Sequence, residues 1–147
     1  MKKNARYLSI LLLLAVYVSA NCFAQELPYE NGSVWDLSFI KTKDGKDLDY
    51  LKDLSKNWKA IMEEAKKEGL ILSYKIISAS AVNRDDWDLL LMTEFKNYAV
   101  FDGMDEKFYA LATKVMGTEE DMDKLMVNLT EMREILGSKL GQEIYLK

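Results

Sequence analysis

The chain of 147 residues has no histidine, one cysteine and one proline. Each scarcity removes a class of chemistry. Without histidine there is no Ser-His-Asp or Cys-His arrangement, no histidine-ligated haem and no ordinary zinc site. Cys22 is the single thiol, so no disulfide can form within the chain. The seven glycines form neither G-x-G-x-x-G nor G-x-x-x-x-G-K-[ST], so phosphate-cradling loops are missing as well. The residues therefore give no ground for a metal or a cofactor.

Long apolar runs are also scarce. The one at Leu8 to Val18 is interrupted by Ser9 and followed by Ser19 and Asn21, whereas a membrane span needs roughly 20 apolar residues. It is preceded by Lys2, Lys3 and Arg6, and Cys22-Phe23-Ala24 places small residues at the two positions a leader peptidase reads. Residues 1–24 are expected to be a secretory leader, which makes the protein periplasmic or secreted and leaves no membrane segment after cleavage. In a lipoprotein, Cys22 would become the lipid-bearing first residue. That site favours a large apolar residue three positions earlier and a small one just before, and Ser19 and Asn21 match neither. Cleavage after Ala24 fits better.

Cleavage there removes Lys2, Lys3 and Arg6 from the 20 basic residues and leaves 17 against 24 acidic ones, a net charge near −7. Nucleic acid and anionic lipid surfaces attract basic patches, so neither is an expected partner. The remaining 123 residues suit one domain, expected over residues 33–147 after a flexible lead-in at 25–32.

Within that domain, VWDLSFIKT alternates from Val34, with Trp35, Leu37 and Phe39 on one side and Val34, Asp36, Ser38 and Ile40 on the other. This is the period of a strand. After the turn at Lys43 to Lys46, Leu48, Leu51, Leu54, Trp58, Ile61, Met62 and Ala65 recur at helical steps, and Gly69 supplies a left-handed stop. LILSYKIISASA (70–81) and Trp87 to Lys96 read as two strands of an antiparallel hairpin. A helix is expected over 98–116. Thr118 then opens another, whose stripe of Met122, Leu125, Met126, Leu129, Met132 and Ile135 runs to Gly137. Residues 142–146 supply a last strand. The order is strand, helix, strand, strand, helix pair, strand. It predicts an α+β, ferredoxin-like βαββαβ subunit with an extra helix before the last strand and a four-stranded antiparallel sheet.

Helices on one side cover only one face of such a sheet. Yet Leu89, Leu91 and Phe95 lie opposite Leu90 and Met92 on the third strand, so both faces are apolar. Leaving leucine-sized side chains in water forgoes roughly 1.5–3 kcal/mol each. A second copy of the chain, giving a homodimer with its sheets back to back, is the expected cover, ahead of a bound ligand or a folded-back N-terminal segment.

The element order, together with IMEEAKKEGLILSYKI, LLLMTEFKN and EILGSKL, resembles exported bacterial members of the dimeric α/β-barrel superfamily over residues 33–146. The resemblance implies a ferredoxin-like subunit and a dimer whose paired sheets enclose a pocket. Haem-degrading and quinone-forming members use asparagine, tryptophan or histidine in that pocket. This chain has Ser38 in strand one and no histidine, so those activities do not carry over.

The candidate site residues follow from strand parity. Glu94 shares a face with Leu90 and Met92, where a desolvated carboxylate can accept a proton. The plainer reading, which the sequence favours, puts it near the strand's exit, where it meets water, a lysine such as Lys75 or the start of the next helix. Asp36 is the second candidate acid. Trp35, Ser38, Tyr74, Met92 and Phe95 are the candidate lining, although the aromatic ones are also ordinary core residues. Two readings follow. One is a homodimer that binds a small apolar or aromatic molecule between its sheets. The other is a cofactor-independent monooxygenase or isomerase-like enzyme with Glu94, Asp36 or a tyrosine as proton acceptor. The methionine stripe reads as core filler rather than a copper site, and Asp85, Asp86 and Asp88 lack the spacing of a calcium loop.

Overall fold

The alternating pattern at Val34 to Ile40 lies inside a longer strand, β1, which spans Tyr29–Thr42. In this computed structural model residues 26–147 are described, and the expected leader with Cys22 lies outside them. The lead-in expected at 25–32 is thereby corrected. From Tyr29 onward the chain is extended, and Gly32 O accepts from the Gln142 side chain at 3.4 Å. At Gly32 a Cβ would stand 2.8 Å from the Tyr145 ring, so only glycine admits that ring against the strand. Residues 31–145 form the main body. Residues 26–30 and 146–147 form a separate small unit, in which Lys147 N donates to Pro28 O at 3.0 Å.

Helix α1 comprises Asp47–Asp53, a π-helical segment Leu54–Trp58 and Lys59–Lys67. Its buried side chains are Tyr50, Leu54, Met62 and Ala65, with Trp58 half-buried between them. Steps of four residues in an α-helix overshoot a full turn by roughly 40°, so a face built on 50, 54, 58 and 62 would drift around the cylinder. The wider turns of the π segment absorb that drift. The expected stripe is accordingly corrected at its start. Leu48 is 71% exposed, whereas Tyr50 is wholly buried. Gly69, at φ +73°, ends the helix as expected, with Leu70 N donating to Ala65 O at 2.9 Å and Gly69 N to Lys66 O at 3.1 Å.

Strands β2 (Ser73–Ser78) and β3 (Leu89–Phe95) are shorter than their apolar runs and pair antiparallel, with Ile76 opposite Leu91. β3 also pairs antiparallel with β1, with Asp36 opposite Thr93 and Leu37 opposite Met92. The helix expected at 98–116 is divided. A 3-10 turn at Tyr98–Phe101 is capped by the Asn97 side chain, which accepts from Ala99 N at 3.1 Å. Gly103, at φ +67°, then redirects the chain into α2, Met104–Met116.

Helix α3 (Glu119–Met132) starts in a capping box. Thr118 Oγ1 accepts from Asp121 N at 3.2 Å, and the Asp121 carboxylate accepts from Thr118 N at 3.1 Å. It ends five residues before Gly137, because β4 occupies Arg133–Leu146 rather than 142–146 alone. The 14 residues of β1 present backbone groups along their whole length, and a partner strand satisfies more of them than one further helical turn would. Ser33 Oγ donates to Glu143 at 3.3 Å, and Ser38 and Ser138 hydroxyls meet at 3.3 Å, so the two strands run antiparallel.

The sheet order β2-β3-β1-β4, with α1 joining β1 to β2 and α2 and α3 joining β3 to β4, is the ferredoxin-like arrangement. Two clusters fill the space between sheet and helices. Val34 and Phe95 meet Met62, Ala65, Met104 and Leu111, while Ile40, Leu89 and Leu91 meet Tyr50 and Leu54. Thus Val34, Asp36, Ser38 and Ile40 of β1, with Leu89, Leu91 and Phe95 of β3, face the helices. Trp35, Leu37, Phe39, Leu90, Met92 and Glu94 face the other way.

Helix α3 contributes no fully buried residue, and Met126 within its expected stripe is 59% exposed. Its stability therefore leans on its cap. Thr118→Ala is expected to cost about 1 kcal/mol and to speed hydrogen exchange across Glu119–Met132 while leaving β1 and β3 protected. Urea denaturation with amide exchange measures both.

Candidate functional site

On the helix-covered side, the sheet and helices leave a cavity of about 440 Å³. β1 contributes Asp36 and Ser38 to its floor, and β3 contributes Leu91, Thr93 and Phe95. Trp58 and Met62 of α1 form one wall, while Phe101, Met104 and Phe108 form the other. Arg133 and Ile135, at the start of β4, line it as well. Its walls are aromatic and interlocked. Phe95 lies 4.7 Å from Phe101 and 6.4 Å from Phe108 between ring centroids, and Trp58 meets Tyr74 edge-on at 5.1 Å. Such a volume with a few polar groups is the usual form of a small-molecule site.

Asp36 is the unusual member. It is half-buried in the floor, and burial holds its carboxyl above the usual aspartate range, against the opposing pull of the Leu37 backbone N–H. Among the described residues it makes no ion pair. A partly desolvated acid without a cation opposes folding, and such groups concentrate where chemistry or binding needs them.

The candidate residues divide between the two faces. Asp36, Ser38 and Phe95 line the cavity together. The Tyr74 ring packs on Trp58, while its hydroxyl donates to Glu63. That bond, first among the causes, pushes the Tyr74 pKa up to about 12, which suits a structural phenol better than a proton acceptor. Trp35, Met92 and Glu94 lie on the opposite face. There Glu94 accepts from the Ser73 hydroxyl at 2.5 Å, and the Lys75 ammonium stands 4.2 Å from the centre of the Trp35 ring. Glu94 and Asp36 therefore cannot share one substrate within a subunit.

Arg133, Thr93, Trp58 and Phe101 line the cavity without having been singled out in the sequence. Arg133 falls within a segment that reads as the end of a helix, so no pattern assigned it to a sheet face. Its Nη1 donates to the buried Tyr50 hydroxyl at 3.0 Å, and its guanidinium carbon lies 5.4 Å from that ring. Among the three aspartates considered for calcium, Asp88 accepts from Thr42 N at 3.0 Å and from the Thr42 hydroxyl at 2.5 Å, and Asp86 accepts from Val82 N at 2.9 Å. These bonds tie the β2–β3 connection and the end of β1 together. A larger groove of about 580 Å³ along α1 and α3 is bordered by solvent-facing Asp49, Lys52, Lys56 and Lys124 and lacks aromatic walls.

No family model matches the chain, and no curated protein matches it. Solved structures do. A protein from Shewanella oneidensis is similar at 13% identity, over 79% of this chain and 97% of that one, with a TM-score of 0.49. A dimeric ferredoxin-like protein from an uncultured marine organism is similar at 13% identity, over 78% and 94%, with a TM-score of 0.45. A dimeric protein of unknown function and ferredoxin-like fold from Bacteroides fragilis is similar at 15% identity, over 79% and 97%, with a TM-score of 0.37. The ferredoxin-like assignment rests on the strand order and connections of the chain itself.

The Asp36 carboxyl titrates higher in the folded chain than in the unfolded one, so its unfavourable contribution is full above the folded value and vanishes as pH falls below the unfolded value. Asp36→Asn is expected to raise the melting temperature at pH 7, with the gain shrinking as the solution is acidified through the carboxylate range. Thermal denaturation of both proteins across that range checks the sign. A variant less stable than the parent at pH 7 would contradict the account of this acid.

Proposed function

We propose that the protein is an exported homodimer in which each subunit binds a small aromatic molecule in the cavity between its sheet and its helices. The observation that carries this reading is a half-buried Asp36 without an ion pair in the floor of a cavity that is also lined by Trp58, Phe95, Phe101 and Phe108. A closed apolar space alone would serve as core. A carboxylate kept there without a cation is an anchor for a ligand's hydrogen-bond donor. The binding place thus moves from the space between two sheets to the space beneath the helices of one subunit.

The opposite sheet face suits the second copy. Leu37, Phe39, Leu90 and Met92 are only partly covered there, and Ile77 is 44% exposed. Charge also favours self-association. Lys139 sits over Phe39, at 5.8 Å, towards one end of the strands, and Glu94 sits towards the other. A two-fold axis running across the strands brings each lysine end over the partner's acidic end.

A second reading is favoured by the raised Asp36 pKa alone. In it Asp36 accepts a proton from the bound molecule, as in a cofactor-independent isomerase or oxygenase. The two readings share one site and separate by whether the molecule leaves unchanged.

Native mass spectrometry of protein purified from the periplasm is expected to give a dimer of chains beginning at Gln25 and carrying a small retained molecule. Leu37→Asp is expected to give folded monomers that keep the molecule, whereas substitution of Phe101 and Phe108 by alanine abolishes retention and leaves the dimer. A wild-type monomer at high concentration, or a dimer whose molecule is lost with Leu37→Asp but not with the phenylalanine substitutions, would overturn the arrangement.

A further inference from the structure

Among the described residues, Arg133 is the only cationic side chain lining the cavity, and Asp36 and Asp105 are its only anionic ones. A guanidinium carries five N–H donors in a planar fork. One of them is directed to the Tyr50 hydroxyl at 3.0 Å, and the Tyr50 ring lies beneath the group at 5.4 Å. Tyr50 is wholly buried, so this contact fixes the guanidinium from a rigid support. Among the described residues no carboxylate lies within ion-pair distance of Arg133, and the pairs present there use lysines.

Asp36 and Arg133 stand apart. Met132 O accepts from Lys43 N at 2.9 Å, which places the start of β4 beside the residue just after β1, seven positions beyond Asp36. Asp36 and Arg133 thus border one aromatic-walled space without neutralising each other. A molecule that satisfies both must be elongated and flat, with an anion at one end and a donor at the other.

We propose that the cavity takes an elongated aromatic carboxylic acid, its carboxylate held bidentately by Arg133 and a hydrogen-bond donor at its far end held by Asp36. Arginine is the side chain whose fork matches a carboxylate, and the aromatic walls accept the ring between the two polar ends. The proposal rests on the cavity being the binding site and adds the class of ligand. In this role Tyr50 is a positioning residue, acting through Arg133.

The test is calorimetric titration of the full dimeric protein with three probes: 4-hydroxycinnamate, its methyl ester, which lacks the anion, and cinnamate, which lacks the donor. Ester and cinnamate are each expected to bind about tenfold more weakly than 4-hydroxycinnamate, as for loss of one charge-assisted hydrogen bond. Arg133→Gln is expected to bring the acid down to the level of the ester and leave the ester unchanged. Tyr50→Phe, which keeps the ring and the guanidinium but frees the fork, is expected to weaken the acid less and the ester not at all. If Arg133→Gln does not fold, the acid-to-ester ratio on the wild type decides. Equal binding of acid and ester would overturn the ligand class while sparing the site. Failure of all three probes to bind would overturn both.

Discussion

β3 lies between β2 and β1 and carries apolar side chains on both of its faces. Leu89, Leu91 and Phe95 are sealed by α1 and α2. Leu90 and Met92 are not, and the helices that could cover them are already used on the other side. This asymmetry governs the rest of the structure. It fixes the helix layer to one face, concentrates the core clusters there and leaves a second apolar face for another molecule. Hydrophobic burial is nearly proportional to area and blind to which chain supplies the cover, so an identical subunit serves as well as a further segment would.

The cavity beneath the helices depends on a smaller adjustment. Without its π segment, α1 would turn its face away from the sheet between Tyr50 and Met62, and Tyr50 would rotate off the sheet. With it, Tyr50, Leu54, Trp58 and Met62 remain aligned, and the Tyr50 hydroxyl meets Arg133 as β4 begins. Helix register and site chemistry are thereby linked: the extra residue that keeps the helix face in line also sets the support for Arg133 in the cavity.

The two acids raised by the sequence have opposite settings for the same reason. Neighbouring strand positions point to opposite faces, so Asp36 and its pairing partner Thr93 turn toward the helices while Glu94 turns away. Glu94 finds a hydroxyl donor in Ser73. Asp36 is half-buried in the cavity floor with only the Leu37 N–H to oppose the effect of burial. A chain under selection for stability alone would have placed an apolar residue at 36.

Much of the fold was legible because it is local. The alternation in β1, the apolar run of β3, the Gly69 stop and the Thr118 cap each depend on residues close in sequence, and each lies within the element that the pattern assigns it. The site was only half legible. Asp36, Ser38 and Phe95 are in the cavity, but strand parity alone cannot say which face meets a helix when both are apolar. Arg133 was hidden because Met132 and Ile135 continue a helical spacing that the chain abandons in favour of pairing with β1.

The sequence by itself determined the element types, their order, the acidic charge and the absence of histidine chemistry, since these follow from periodicity and composition. Tertiary structure decided which face of the sheet is covered, where α3 gives way to β4, and that Asp36 and Arg133 border one cavity. Those outcomes depend on contacts between residues up to about a hundred positions apart, whose energies no local pattern contains.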